Sequence, residues 1–342
     1  MEEIYQEHFQ DFVPMFQKHF KETCENIIKL QQAGELGEIS YLEYTFLYTS
    51  LLMQNENAEV RVYNDNWYFD SGQRTIGYFD FSSLFQKYHE LESELISAHK
   101  RFAGSVSAQE TTSFLMSCAR PFYCYIISIF RYSILPCIEK EPFLSVKRAE
   151  KFEINVGEYM AYSEPIYKEN QLRSTGEALA MFSQRQEFEY AFEDFTRLDL
   201  SGTDLSEIDL RYSDLRYTIL DGTDLQDSLL FGTRFCNASM KGADLRYSLI
   251  HESDFTGADL SGAKFTATEA HAGVPGYNKW IVTGYQRVSF RGANLSGADF
   301  LRSSIRDADF TGAVMDGAVF QRGQLPQYNL SPEQMQVINI FG

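Results

Sequence analysis

The sequence predicts a two-domain α+β chain: a mostly α-helical amino-terminal domain over residues 1–185, a β-solenoid over 186–330 and a capping helix at 331–342. Three observations predict it. Large apolar residues recur at every fifth position through most of the second half. Before residue 185 the aromatic and aliphatic residues recur mainly at helical spacing. Ser331-Pro332-Glu333-Gln334 combines an N-cap serine, a proline at the first helical position and a glutamine three residues on, the signature of a helix start.

The pentad series runs from Phe195 through Leu200, Leu205 and Leu210 to Phe265, and resumes in register from Phe290 to Leu330. Neither the helical period nor the strand period gives this spacing, so it marks units that stack to bury a shared core. Two positions before each large residue sits a small one, such as Thr203, Ser213, Ala243 or Ala298. Between the two there is often an acid, as at Asp204, Asp224, Asp244 and Asp299. A longer period overlies the first: Ser201-Gly202-Thr203-Asp204-Leu205 is echoed at 221–225, 241–245 and 261–265, four pentads apart. Glycine at that recurring corner allows a positive φ.

Ala243-Asp244-Leu245, Ala258-Asp259-Leu260, Ala293-Asn294-Leu295 and Ala298-Asp299-Phe300 resemble the A(D/N)LXX consensus of the pentapeptide-repeat family, over roughly residues 190–330. The resemblance implies a right-handed quadrilateral β-helix with one pentad per side. Coils at the usual strand separation of about 4.8 Å would give about six of them, a rod roughly 30 Å long. Residues twenty apart then form columns. Asp204, Asp224 and Asp244 make one, with Lys264 next, and Glu207 and Asp227 make a shorter neighbour. These five acids are candidate partner-binding residues; the competing reading is a solvated face that blocks lateral strand pairing.

Residues 266–289 break the consensus. The glycine-bearing block returns at Arg291-Gly292-Ala293 and Thr311-Gly312-Ala313, out of phase with the earlier blocks by two pentads. If the same corner is kept, about ten residues are extra, and His271–Trp280, with its Gly-Val-Pro-Gly turn, is the candidate. The expectation is a projecting loop that offers Tyr277, Lys279 and Trp280 to a partner, or a Trp280 folded back onto the rod. Thr266–Ala270, Ile281–Tyr285 and Gln286–Phe290 would be degenerate pentads.

In the amino-terminal domain, residues 3–33 predict a helix with Phe9, Phe12, Phe16 and Phe20 on one face and a stop at Gly34. Ser40 and Glu43 have capping-box spacing and predict a second helix through Met53. Val60–Tyr63 and Trp67–Phe69 predict a short hairpin, Phe81–Arg101 a helix, and Ser107 with Glu110 a helix to Leu135 that kinks at Pro121. An extended segment is expected within 151–170.

The net charge is −18, and residues 195–342, with 13 Lys+Arg and 18 Asp+Glu, carry only −5 of it. The acidity sits in the first half and argues against direct contact with nucleic acid or an anionic membrane. Cys24, Cys118, Cys124, Cys137 and Cys236 follow no zinc or redox spacing, which fits reduced thiols in a bacterial cytoplasm. There is no phosphate loop, dinucleotide fingerprint or nucleophile elbow, and His8/His19 and His89/His99 lack ligand spacing, so neither a cofactor nor a metal is expected.

The leading functional expectation is a non-enzymatic protein-interaction scaffold. The family resemblance implies an alternative, a DNA-mimicking protein that binds and protects DNA gyrase, a type II topoisomerase, and it permits a homodimer through the carboxyl-terminal end. Arg211, Arg216, Arg234, Arg246, Arg302 and Arg306, read as exposed, weigh against the mimic. A third reading is an enzyme whose site lies in residues 1–185, targeted by the repeat.

Overall fold

The computed structural model describes residues 2–46, 55–69, 74–99, 107–159, 163–171, 173–186, 190–270 and 286–342. The chain forms two compact units, Met1–Gln171 and Leu172–Gly342.

The first unit combines three long helices with a five-stranded sheet, larger than the short hairpin the sequence predicts. Its elements are α1 (Glu2–Gln32), β1 (Ile39–Phe46), β2 (Asn57–Tyr63), β3 (Arg74–Asp80), α2 (Gln86–His99), α3 (Ala108–Ile134), β4 (Arg148–Glu158) and β5 (Ser163–Asn170). The strands form one mixed sheet in the order β3-β2-β1-β4-β5. β1 and β4 are parallel and the other neighbours antiparallel. α1 and α3 cover one face with aromatic rings. Phe16 lies 4.7 Å from Phe130, 5.6 Å from Tyr44 and 5.7 Å from Phe79, all four buried.

Two expectations here fail for identifiable reasons. The helix from Ser40 is the strand β1. Its Ile39, Tyr41, Tyr44, Thr45 and Phe46 are β-branched or aromatic, and Leu42, Tyr44 and Phe46 alternate inward. Glu43 does not close a capping box; its buried carboxylate accepts the Trp67 indole N–H at 2.7 Å. Residues 47–53 of that expected helix lie outside the described residues. The hairpin partner of β2 is β3, not Trp67–Phe69, which forms a 3-10 turn with Trp67 stacked 5.2 Å from Tyr41.

Other expectations hold. α1 stops where Gly34 takes φ 72°, and α3 starts at Ser107 with the reciprocal Glu110 capping box. The segment expected to be extended is β4 and β5.

In the second unit parallel bridges join residues twenty apart, from Asp194↔Asp214 to Leu249↔Glu269, so four pentads make each turn of the coil. The fifth-residue side chains from Phe195 to Ala270 and from Phe290 to Phe320 are buried. Phe235, Phe255, Phe290 and Phe310 stack in one column 5.0 Å apart with planes within 6°. Phe265, Phe300 and Phe320 stack in another at 4.8 Å. These ring spacings equal the usual separation of paired strands, so one hydrogen-bonded ladder sets both the backbone rise and the packing of the core.

The small position is equally constrained. Thr218, Thr223, Ser228, Thr233, Ser248, Ser253 and Thr268 are fully buried. Each hydroxyl donates to the carbonyl 23 residues before it at 2.5–2.9 Å. Burial without that bond would cost the unpaired hydroxyl about 1–3 kcal/mol. From Ala258 onward alanine takes most of these sites and needs no partner.

The inserted segment is longer than the glycine blocks suggest. Asp254 pairs with Ser289, Asp259 with Asn294 and Lys264 with Asp299, 35 positions apart in place of twenty, so fifteen residues are extra. The corner that holds Gly262 continues at Gly297, not Gly292. Gly292 belongs to the neighbouring corner, above Gly257. Thr266–Ala270 and Gln286–Phe290 are full faces of the coil, with Ala270, Val288 and Phe290 buried. The extra residues, 271–285, include Ile281–Tyr285 and lie outside the described residues.

Both ends of the column are covered. The boundary between units falls at 171/172, not 185, because α4 (Thr175–Ser183) belongs to the coil. Its Phe182 lies 4.9 Å from Phe195 and 5.3 Å from Tyr190, and Ala178 is buried. At the other end α5 (Pro332–Val337) begins with the expected Ser331/Gln334 capping box. Met335 and Val337 on this helix are 38% and 41% exposed. The helix docks instead through polar bonds from Gln334 to the Phe310 and Ala313 carbonyls. The seal is Tyr328, fully buried and 5.1 Å from Phe320, with Leu325, Leu330 and Ile338 around it.

Truncating Phe300, held between Phe265 and Phe320, leaves a cavity in the middle of a stack. Phe300→Ala is expected to cost about 3–5 kcal/mol in urea unfolding followed by far-ultraviolet circular dichroism.

Candidate interaction surface

The outward acids of the coil have a local structural function. Where Asp holds this position its side chain accepts the N–H two residues on: Asp204 from Ser206 at 3.0 Å, Asp224 from Gln226 at 3.0 Å, Asp244 from Arg246 at 3.3 Å. Asn294 does the same for Ser296 at 3.1 Å. Where it forms, the Asx turn leads into the positive-φ residue of that corner. Glycine fills only part of these sites; Arg197, Glu207, Tyr212, Tyr217, Asp227 and Tyr247 adopt the same conformation, φ 55–63°. What stabilises it is the ladder: Glu207 donates to Gln226 O at 2.8 Å and Asp227 to Arg246 O at 3.0 Å. At Gly232 the glycine is needed for space as well, since a Cβ there would sit 2.4 Å from the Tyr212 ring.

The column Asp204, Asp224, Asp244 exists as expected, with Lys264 and then Asp299 above it. It is not a bare anionic strip. Asp204 is paired with Arg185 at 2.9 Å. Asp224 takes the Gln226 amide at 3.0 Å. Asp244 holds Arg246 at 2.8 Å and Lys264 at 3.2 Å. The Ser206 hydroxyl and N–H, with Arg185, hold the Asp204 carboxyl down at about 2. Hydrogen bonds and charge from Arg246 and Lys264 outweigh partial burial and lower that of Asp244.

Glu207 and Asp227 are exposed at the next corner, in one column with Tyr247, Ala267 and Arg302. The other three candidates, Tyr277, Lys279 and Trp280, lie outside the described residues.

Three arginines read as exposed are largely buried. Arg211 pairs with Asp209 at 2.7 Å, and Asp214 is held by Arg216 at 2.9 Å and Arg234 at 3.0 Å. Their side chains are only 12–14% exposed. For Arg211 and Arg216 the sequence carries the signal as Asp-Leu-Arg at 209–211 and 214–216, where the guanidinium folds back onto the carboxylate of its own turn; Arg234 carries no such signal. In the first unit His89 sits between Glu56 at 2.7 Å and Glu92 at 3.2 Å. Among the described residues no three His, Cys, Asp or Glu gather as a metal site, and no helix is long and apolar enough to cross a membrane.

One pH effect follows. The Asp204 carboxyl is lower in the fold than the ordinary 3.8, so its contribution to stability is complete above 3.8 and lost as pH falls toward 2. Asp204→Asn keeps the acceptor, as Asn294 does, but removes the charge. Its melting temperature is expected to fall less steeply between these pH values than that of the parent chain.

The pentapeptide-repeat family profile matches residues 194–227, 228–266 and 286–322, in 8 copies. Among solved structures, the chain is similar to the pentapeptide repeat protein Rfr23 from the cyanobacterium Cyanothece 51142, at 16% identity over 40% of this chain and 99% of that one, TM-score 0.22. It is similar also to HetL, a pentapeptide repeat protein involved in heterocyst differentiation regulation from the cyanobacterium Nostoc sp. strain PCC 7120, at 22% identity over 43% and 97%, TM-score 0.16. A third is QnrB1, a plasmid-mediated fluoroquinolone resistance protein, at 14% identity over 43% and 81%, TM-score 0.20. No curated protein sequence matches the chain. The family match, coinciding with the twenty-residue ladder, makes the second unit of this chain a member of the pentapeptide-repeat family.

Proposed function

We propose that the coil is a right-handed quadrilateral β-helix and serves as a non-enzymatic scaffold for a protein partner. The observation that carries this reading is the corner column Glu207, Asp227, Tyr247, Ala267 and Arg302. Its backbone positions are fixed by the ladder, and Glu207, Asp227, Tyr247 and Arg302 are exposed. The column therefore offers two carboxylates, a phenol and a guanidinium in fixed order on a support that loses little entropy on binding. Tyrosine and arginine are the side chains that most often anchor protein interfaces. The alternative, a DNA-like surface for a type II topoisomerase, requires a continuous negative stripe. Arg185, Arg246 and Lys264 neutralise the column that would supply it, which favours the scaffold.

The test is capture from a native lysate with the full chain and with a Glu207→Ala, Asp227→Ala, Tyr247→Ala variant. The scaffold reading expects a protein retained by the parent chain and lost by the variant at unchanged melting temperature. Equal retention by both contradicts the assignment of this corner. Protection of DNA gyrase from a quinolone in a supercoiling assay would replace the reading with the DNA-mimic one.

A further inference from the structure

A cleft of about 450 Å³ opens on the sheet of the first unit. It lies on the face opposite α1 and α3, because Thr45, Glu59 and Tyr78 alternate with the inward Tyr44, Val60 and Phe79. The sheet order brings its wall together. Glu59 on β2 is the register partner of Thr45 on β1 and of Tyr78 on β3. Thr45 is in turn the partner of Gly157 on β4, two residues before Tyr159, which also lines the cleft. Asn55, Asn57, Glu59 and Arg61 follow at every second residue and all line the same cleft.

The chemistry of this wall is selective. Arg61 is ion-paired with Glu59, and its Cζ lies over the Tyr159 ring, 4.3 Å from the centroid. Opposite charges therefore cancel inside the cleft, so an anion would have to displace Glu59 and a cation would have to displace Arg61. Neither is the natural occupant. What remains is a row of planar groups: two amides, a carboxylate and a guanidinium. The Asn57 amide donates to Asn55 Oδ1 at 2.6 Å, which leaves Asn57 Oδ1 as an acceptor and the Asn55 amide N–H groups as donors for a ligand's hydroxyls. Planar forks of this kind each meet two neighbouring hydroxyl groups at once. Tyr78 stands beside them, 62% exposed, and brings an apolar ring face to the cleft.

Vicinal hydroxyls around the rim of a ring, and an apolar C–H face on that ring, are the complement of this arrangement. We infer that the cleft binds a neutral oligosaccharide, with one sugar ring on Tyr78 and its hydroxyls on Asn55, Asn57 and the Glu59–Arg61 pair. The volume falls within the range of small-ligand sites.

The test is isothermal titration of the full chain with maltotriose, cellotriose and chitotriose, at sugar concentrations up to about 10 mM. At least one should bind, and inorganic phosphate should not. Tyr78→Ala and Asn57→Ala should each weaken that sugar by about tenfold or more, with Tyr78→Phe close to the parent because it keeps the ring. Circular dichroism melting of each variant separates lost binding from lost fold, and both replaced side chains are at the surface of the sheet. Absence of heat with all three sugars overturns the inference. So does binding that survives Tyr78→Ala and Asn57→Ala, or binding of phosphate in place of sugar.

Discussion

The second unit depends on one coupling: a parallel backbone ladder between residues twenty apart, and a large inward side chain at every fifth residue. Each enforces the other. The ladder sets a rise near 4.8 Å, the distance at which aromatic faces stack, so Phe265, Phe300 and Phe320 fill the axis without a void. The stacked side chains in turn fix which carbonyl each N–H can reach. A residue out of phase would bury a polar side chain and expose an apolar one on every later face.

Much of the remaining chemistry follows from that coupling. The small residue beside each large one is buried by geometry, so it is mostly alanine or a hydroxyl with a defined acceptor 23 residues back. The acid between them closes the turn before it does anything else, which is why the same position accepts Asp204, Asp224 or Asn294. Surface variety is left to the corners. There the chain carries Glu207, Asp227, Tyr247 and Arg302 in one column and Gly202, Gly222, Gly242 and Gly262 in another.

The period was legible in the sequence because covalent geometry admits few folds with an inward residue at every fifth position. The corner assignment after the insertion was not, because glycine marks more than one corner. Gly292 and Gly297 are equivalent in sequence, and only the pairing of Lys264 with Asp299 decides between them. Ser40 and Glu43 satisfy a helix-start pattern in isolation, yet the β-branched and aromatic residues around them pair with β2 and β4, and tertiary pairing overrides the local signal. The acid columns were legible as columns. Their neutralisation was legible only in part, as the Asp-Leu-Arg spacing at Asp244 and the Lys264 next in the column; the pairing of Asp204 with Arg185 comes from the fold. The cleft was not legible at all: Tyr78, Glu59 and Thr45 become neighbours through a strand order that no local pattern specifies.

The phase rule is open to a direct measurement by thermal unfolding of two insertions. Duplicating Asp221–Met240 adds one complete turn, while three residues placed between Asp224 and Leu225 break the five-residue phase within a face. The account predicts that the duplicated chain melts cooperatively at or above the parent temperature and that the three-residue insertion melts well below it. Equal tolerance of both insertions, or loss of the fold on adding a whole turn, would contradict the coupling of ladder and core.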